Sequence, residues 1–199
     1  RNTVAPRDAV HGRPARLGLV GVGHWGQRVI ATLGAMTQVH LDAVAVRNQR
    51  PLELPPGTTV VADWREMAHA ALDGVIVATP PASHGEILST LVQAGIPVMV
   101  EKPLCLDLAE GYRLRALVSR CGVPVLVDHT QLFHPAFPVL KVQAQGYGAV
   151  RLIRSEGMGF GPFRPDVPVL WDWAPHDVSL CLALLGTVPR EVAALGDRT

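Results

Sequence analysis

Gly21-Val22-Gly23-His24-Trp25-Gly26 constrains this chain more than any other stretch. The apolar run Leu17-Gly18-Leu19-Val20 leads into it, and Val29, Ile30, Leu33 and Met36 lead out at helical spacing. A strand, a tight glycine turn and a helix N-terminus, in that order, read as a dinucleotide pyrophosphate site. The first glycine allows the turn, the second lets the backbone approach the phosphates, and the third packs helix on strand. Backbone N–H groups and the positive end of the helix then hold the anion. Glycine turns also end ordinary strands, so the motif takes its weight from this strand–turn–helix setting.

The rest of the first two thirds repeats the alternation. Apolar strands are expected at 16–22, 41–46, 74–79, 97–101 and 124–128, with a weaker one near Thr59–Ala62. Asp63/Glu66, Ser83/Glu86 and Asp107/Glu110 stand at capping-box spacing, each opening a helical pattern. Leu114, Leu117, Val118 and Cys121 recur at one face of a helix. Strands apolar on both faces and separated by helices predict an α/β fold, a doubly wound parallel sheet covered on both sides.

After about residue 130 the pattern changes. Phe133–Gln145 reads as a helix begun among prolines, Ala149–Gly157 as a strand, and Gly157–Pro168 as a glycine- and proline-rich loop. Asp172–Leu185 reads as a helix, and Val188–Leu195 as the start of another strand. The expected organisation is a flexible arm at 1–14, one domain at 15–128, and the opening of a second, incomplete domain at 129–199. The chain starts at Arg1, which points to a fragment or a processed chain.

A net charge of +1 with 18% charged residues provides no basic field for nucleic acid or membrane, so neither partner is expected. The apolar runs are strand-sized, too short to span a bilayer. Cys105, Cys121 and Cys181 form no C-x-x-C pair, and free thiols in a reducing cytoplasm are expected. No metal site is expected.

Four segments in order resemble the Gfo/Idh/MocA oxidoreductases. They are Gly21–Gly26; Val75–Pro81 with Ser83-His84; Glu101-Lys102-Pro103; and Asp172-x-x-x-His176-Asp177. Val127-Asp128-His129-Thr130 and Leu170–Asp177 look most like the nucleotide-sugar branch, which includes UDP-N-acetylglucosamine and UDP-N-acetylglucosaminuronate 3-dehydrogenases. The resemblance spans residues 16–190. It implies a Rossmann domain followed by an α+β, mostly antiparallel sheet domain, of which this chain holds the start. It also implies a homo-oligomer and a cis Lys102–Pro103 bond.

Each site residue has two readings. Lys102, at a strand end, is either a snorkelling surface lysine or a donor to a reacting oxygen; the Glu-Lys-Pro context favours the donor. Glu101 positions Lys102, meets the cofactor, or forms a simple ion pair. Asp172 and His176 lie four apart on a predicted helix, so they share a face. Spacing alone favours a helix start, with Asp172 as cap and Pro175 in the first turn. The resemblance favours His176 as general base, with Asp172 as its orienter or as a second substrate contact. Asp177 is read as structural. Thr79-Pro80-Pro81 is a proline-stiffened turn with Ser83 capping the next helix; the resemblance adds that it lines the nicotinamide ribose, with His84 nearby. His24 and Trp25 fall within the glycine loop and count with it as cofactor residues. His129 faces the substrate or is a satisfied, half-buried histidine. Arg164 meets a phosphate or carboxylate, or is simply solvated. Trp171 and Trp173 are read as packing.

An NAD-selective site places an acid about twenty residues past the glycine loop to hold the ribose 2′-hydroxyl. Val46 stands there, followed by Arg47 and Asn48, and Asp42 falls too early. Arg47 is suited to a 2′-phosphate, so NADP is expected to bind at least as well as NAD. The expected activity is hydride transfer between a sugar or nucleotide-sugar carbinol and nicotinamide. The rival is a non-catalytic dinucleotide-binding sensor of the same fold, which has no need of Lys102, Asp172 and His176 together. A third possibility is transient oxidation during glycoside cleavage.

Overall fold

The structure is a computed structural model, and it describes residues 12–47, 52–157 and 167–196. Residues 1–11 of the expected arm, Arg164, and residues 158–166 of the glycine- and proline-rich loop lie outside the described residues. The chain divides into two compact units, Arg1–Asp128 and His129–Thr199.

The first unit is a Rossmann-type α/β fold. Its strands are β1 (Ala15–Val20), β2 (Val39–Ala45), β3 (Thr59–Val61), β4 (Gly74–Val77), β5 (Val98–Glu101) and β6 (Val125–Asp128). They form one six-stranded sheet in the order β3-β2-β1-β4-β5-β6. Every neighbouring pair is parallel. Helix α1 (His24–Gly34) joins β1 to β2, α2 (His84–Gln93) joins β4 to β5, and α3 (Leu108–Cys121) joins β5 to β6.

Both faces of the sheet are buried at its centre, and β4 shows why its sequence is continuously apolar. All four of its residues are buried. Val75 and Val77 face a cluster completed by Ile87, Leu88 and Leu91 of α2 and Leu114 and Leu117 of α3. Ile76 faces the opposite cluster, with Leu19, Ile30, Leu33 and Val44. Successive strand residues point to opposite faces, so a strand between two helical layers needs an apolar residue at every position. Burying each such side chain contributes about 1.5–3 kcal/mol.

The predicted helix starts divide by chemistry. Asp107 accepts the Glu110 N–H at 2.7 Å, and α3 ends at Gly122 with φ 66°. The Asp63/Glu66 box forms in both directions, but it opens a 3-10 helix, Trp64–His69, rather than an α-helix. Ser83 does not cap α2; its hydroxyl lies 2.8 Å from both Thr79 Oγ1 and the Pro80 carbonyl oxygen, so the short turn Pro81–Ser83 uses that group itself. The last residues of the expected arm are tied down: Arg13 makes two bonds to the Asp73 carboxylate, at 2.8 and 3.0 Å. Burial works against ionisation of Asp73, but the Arg13 guanidinium outweighs it and holds that carboxyl below the usual range.

In the second unit a 3-10 turn (Thr130–Phe133) precedes α4 (Ala136–Gly146) and α5 (Val169–Leu185). The expected strand at Ala149–Gly157 is not formed; that stretch has no regular structure and is held to α5 by a 2.6 Å bond from Ser155 to Asp177. Val188–Leu195 is likewise not a strand. A strand needs a neighbour for its N–H and C=O groups, and among the described residues this unit has no strand to pair with. Among the described residues no helix is long and apolar enough to cross a membrane, and no group of three or more His, Cys, Asp or Glu could hold a metal ion. Cys105, Cys121 and Cys181 are free thiols, and Cys105 is buried.

Candidate active site

The strand order reverses between β1 and β4. In an open α/β sheet that switch point, at the C-terminal strand ends, is where ligands bind. Gly21 leaves β1 there with φ 97°. A Cβ on it would stand 2.7 Å from the Ala78 carbonyl oxygen at the end of β4. A Cβ on Gly26 would run into the Gly21 carbonyl oxygen, so that glycine lets α1 sit directly on the turn. Gly23 differs from both: nothing lies within 4 Å of a Cβ built on it. It is the N-cap of α1, makes no side-chain cap bond, and no acidic residue follows in the first turn. The loop therefore holds an open cradle at a positive helix end, which fits a pyrophosphate. His24 and Trp25 are exposed beside it, and the Arg28 guanidinium lies 5.6 Å from the Trp25 ring centre.

The β4 end connects this loop to Lys102. Thr79 packs its methyl 2.9 Å from the position of a Gly21 Cβ. The Thr79 carbonyl oxygen lies 2.8 Å from Nε2 of His84, and the Pro103 carbonyl oxygen 2.9 Å from Nδ1 of the same ring. His84 is 0% exposed. This corrects the role expected of it: its side chain has no surface for a cofactor and instead spans two loops from behind. Burial lowers its pKa despite the surrounding carbonyls and Glu110. A neutral ring donates from one nitrogen only, so one of the two carbonyls receives the hydrogen bond. The Lys102–Pro103 bond is cis; Glu101, the last residue of β5, and Lys102, directly after it, are both half-buried.

The β5–β6 register sets Glu101 opposite Asp128, which is 7% exposed. Burial, then the Asp128 charge and a side-chain hydrogen bond from the same pair, push the Glu101 carboxyl up to about 7. Asp128 entered the sequence reading only as part of a resembling segment. Its pairing with Glu101 depends on strand order, which no local pattern states.

At the β2 end, Val46 is buried with Leu19, Leu41 and Ile30. Its N–H bonds the Val61 carbonyl oxygen at 3.2 Å. The Val46 side chain therefore packs in the core. Arg47 is exposed directly after it.

Asp172 and His176 lie on α5, both half-buried. The helix begins at Val169, after Pro168, three residues earlier than expected. Asp172 is thus not the cap, and Pro175 is interior rather than in the first turn. Asp172 nonetheless stands in the first turn of α5. Ser179, buried below, donates to the His176 carbonyl oxygen at 2.8 Å. Asp177 accepts a 2.6 Å hydrogen bond from Ser155. His129 is half-buried and opens the 3-10 turn that packs on α5. Trp173 packs its ring edge against Gly157.

Residues 15–129 match the model of the Gfo/Idh/MocA family, described as an oxidoreductase family with an NAD-binding Rossmann fold. The chain belongs to the Gfo/Idh/MocA oxidoreductases. It is 32% identical to the UDP-N-acetylglucosamine 3-dehydrogenase of Acidithiobacillus ferrooxidans, over 91% of this chain and 58% of that protein. It is 30% identical to the myo-inositol dehydrogenase Hyg17 of Streptomyces leeuwenhoekii, over 89% of this chain and 58% of that one. The crystal structure of a Magnetospirillum magnetotacticum MS-1 protein superposes with a TM-score of 0.83 at 43% identity, over 93% of this chain and 62% of that one. The chain thus spans under two thirds of the length of these relatives. Its cofactor class is NAD or NADP, and the open cradle at Gly23 fits that group.

Proposed function

We propose that this protein is an NAD(P)-dependent oxidoreductase acting on a carbinol of a sugar or nucleotide sugar. The nicotinamide, when bound, supplies the hydride-accepting carbon. Gly21, Gly23 and Gly26 cradle the pyrophosphate, with His24 and Trp25 flanking it, and Arg47 meets the ribose side. Thr79 and Pro80 line the nicotinamide side. Lys102 donates a hydrogen bond to the reacting oxygen and stabilises the negative charge that develops on it. His176 takes the hydroxyl proton, and Asp172 orients the imidazole and favours its protonated form. His129 and Arg164 are assigned to the substrate. Domain 15–128 carries the dinucleotide, and 129–199 contributes the substrate side; a homo-oligomer in a reducing cytoplasm completes the reading, in keeping with three free thiols.

One observation carries it. Lys102 emerges at the same strand edge as the open glycine cradle, and the buried His84 ring spans the two intervening loops. The likeness to a UDP-N-acetylglucosamine 3-dehydrogenase supports a nucleotide sugar as substrate.

Steady-state kinetics test the roles. Lys102→Met and His176→Ala should each lower turnover by at least ~10²-fold, the scale of an acid–base or oxyanion partner, while nucleotide binding survives. Turnover within a few-fold of wild type in either variant removes that residue's role. If both variants keep their turnover, the sensor reading gains.

A further inference from the structure

We propose that Glu101 and Asp128 hold a single proton between them and act as a positioning pair behind Lys102. Three observations carry this. The β5–β6 register sets the two residues directly opposite each other at the strand ends. Asp128 is 7% exposed, so water does little to separate the two charges. The Asp128 carboxyl also pushes the Glu101 pKa up, through its charge and through hydrogen bonding. Two ionised carboxylates only accept, so a bond between them requires that one be protonated. Like charges at one desolvated site make the first proton hard to remove, and the pair titrates as a unit.

The neighbours define what the pair does. Lys102 follows Glu101 on the same turn and favours its ionised form, through both charge and a backbone bond. On the other side of β5, β4 is followed by Ala78 and Thr79, which carry no charge. Helices α2 and α3 contribute His84, which is kept neutral by burial, and Glu110, which acts on His84. With its proton in place the pair shows Lys102 one negative charge. Once the proton leaves, it shows two, and the ammonium is held more tightly to the protein side. The pair thereby sets how freely Lys102 reaches an oxygen outside it. This last step rests on Lys102 being the group that meets the reacting oxygen; the shared proton does not.

Infrared titration of the whole chain without ligand reads the proton directly. Wild type should keep a carboxylic-acid C=O absorption that disappears near pH 7. Asp128→Asn should move its midpoint down by at least about one pH unit, because the like charge is gone. Glu101→Gln should abolish the titration near 7, because the new amide donates to Asp128 and removes its need for a proton. Both changes preserve size and hydrogen bonding. If all wild-type carboxyls ionise in the ordinary range, or if the midpoint is unmoved in Asp128→Asn, the shared proton is refuted.

Stability provides a second readout. Glu101 is an acid with a raised pKa, so between its ordinary 4.5 and about 7 the folded state binds the extra proton. Its contribution to stability therefore falls as pH rises across that window and is level above it. Asp128→Asn removes part of this loss. The stability of the variant minus that of wild type should rise from pH 4.5 to about 7, and a flat difference counts against the pair. Neither readout involves turnover. A failed Lys102→Met experiment with a positive titration would overturn the catalytic reading and leave the pair intact.

Discussion

At the scale of single residues, the protein separates positions that touch a ligand from positions that hold them. Arg47 and Val46 are adjacent, yet one is exposed and the other lies in the core. That alternation was implicit in the strand pattern, because neighbouring residues on a strand face opposite ways. Where the strand ends, however, decides which of the two still obeys it. An account of cofactor preference should therefore rest on Arg47. Calorimetric titration should show NADP(H) binding at least as tightly as NAD(H), and Arg47→Ala should weaken NADP(H) by roughly 10-fold while NAD(H) changes far less. Equal losses for both would show that Arg47 does not read the 2′-phosphate. Val46→Asp is expected to cost roughly 3 kcal/mol or more of stability in chemical denaturation, since it buries a carboxylate without a partner. A Val46→Asp protein as stable as wild type would mean that the side chain escapes to solvent. His84 teaches the same lesson: its motif marks it as important, but only the fold shows that it works from behind the loops.

At the scale of elements, legibility followed whether the deciding interactions were local. All six strands of the sheet were readable, because each is a short apolar run and most are separated by helical patterns. The start of helix α3 was readable, since Asp107 caps it through a neighbour three residues away, while its end at Gly122 was not read. Asp107→Ala should destabilise the protein by about 1 kcal/mol, read as a lower denaturation midpoint, because the Glu110 N–H loses its acceptor. An unchanged midpoint would mean that water replaces the cap at no cost. Ser83 carries the same spacing signature but spends its hydroxyl on Thr79 and Pro80, so a three-residue pattern could not separate the two cases. The start of α5 was misread for a related reason. Asp172 does lie in the first turn, but apolar Val169, Leu170 and Trp171 precede it in the helix, so Pro175 falls inside. The expected strands at 149–157 and 188–195 depend on partners distant in sequence, and such pairing leaves no local trace.

At the scale of the whole molecule, the order β3-β2-β1-β4-β5-β6 turns scattered motifs into one edge. It lines up the glycine loop, Thr79, Lys102 and the Glu101–Asp128 pair at consecutive strand ends. The motifs were visible one by one in the sequence, while their adjacency, above all that of Glu101 to Asp128, required strand order. The central claim is that this edge binds a nicotinamide dinucleotide with its pyrophosphate over Gly23. Gly23 allows a direct test, because a methyl group there meets nothing in the unliganded protein and its φ of −59° suits alanine. The measurement is the affinity of wild type and Gly23→Ala for NADH and NADPH, followed by fluorescence titration alongside thermal unfolding. The account predicts that wild type binds, and that Gly23→Ala loses at least ~10-fold in affinity while its midpoint moves by no more than a few degrees. Wild-type affinity in a fully folded Gly23→Ala protein, or no binding by wild type, would contradict it.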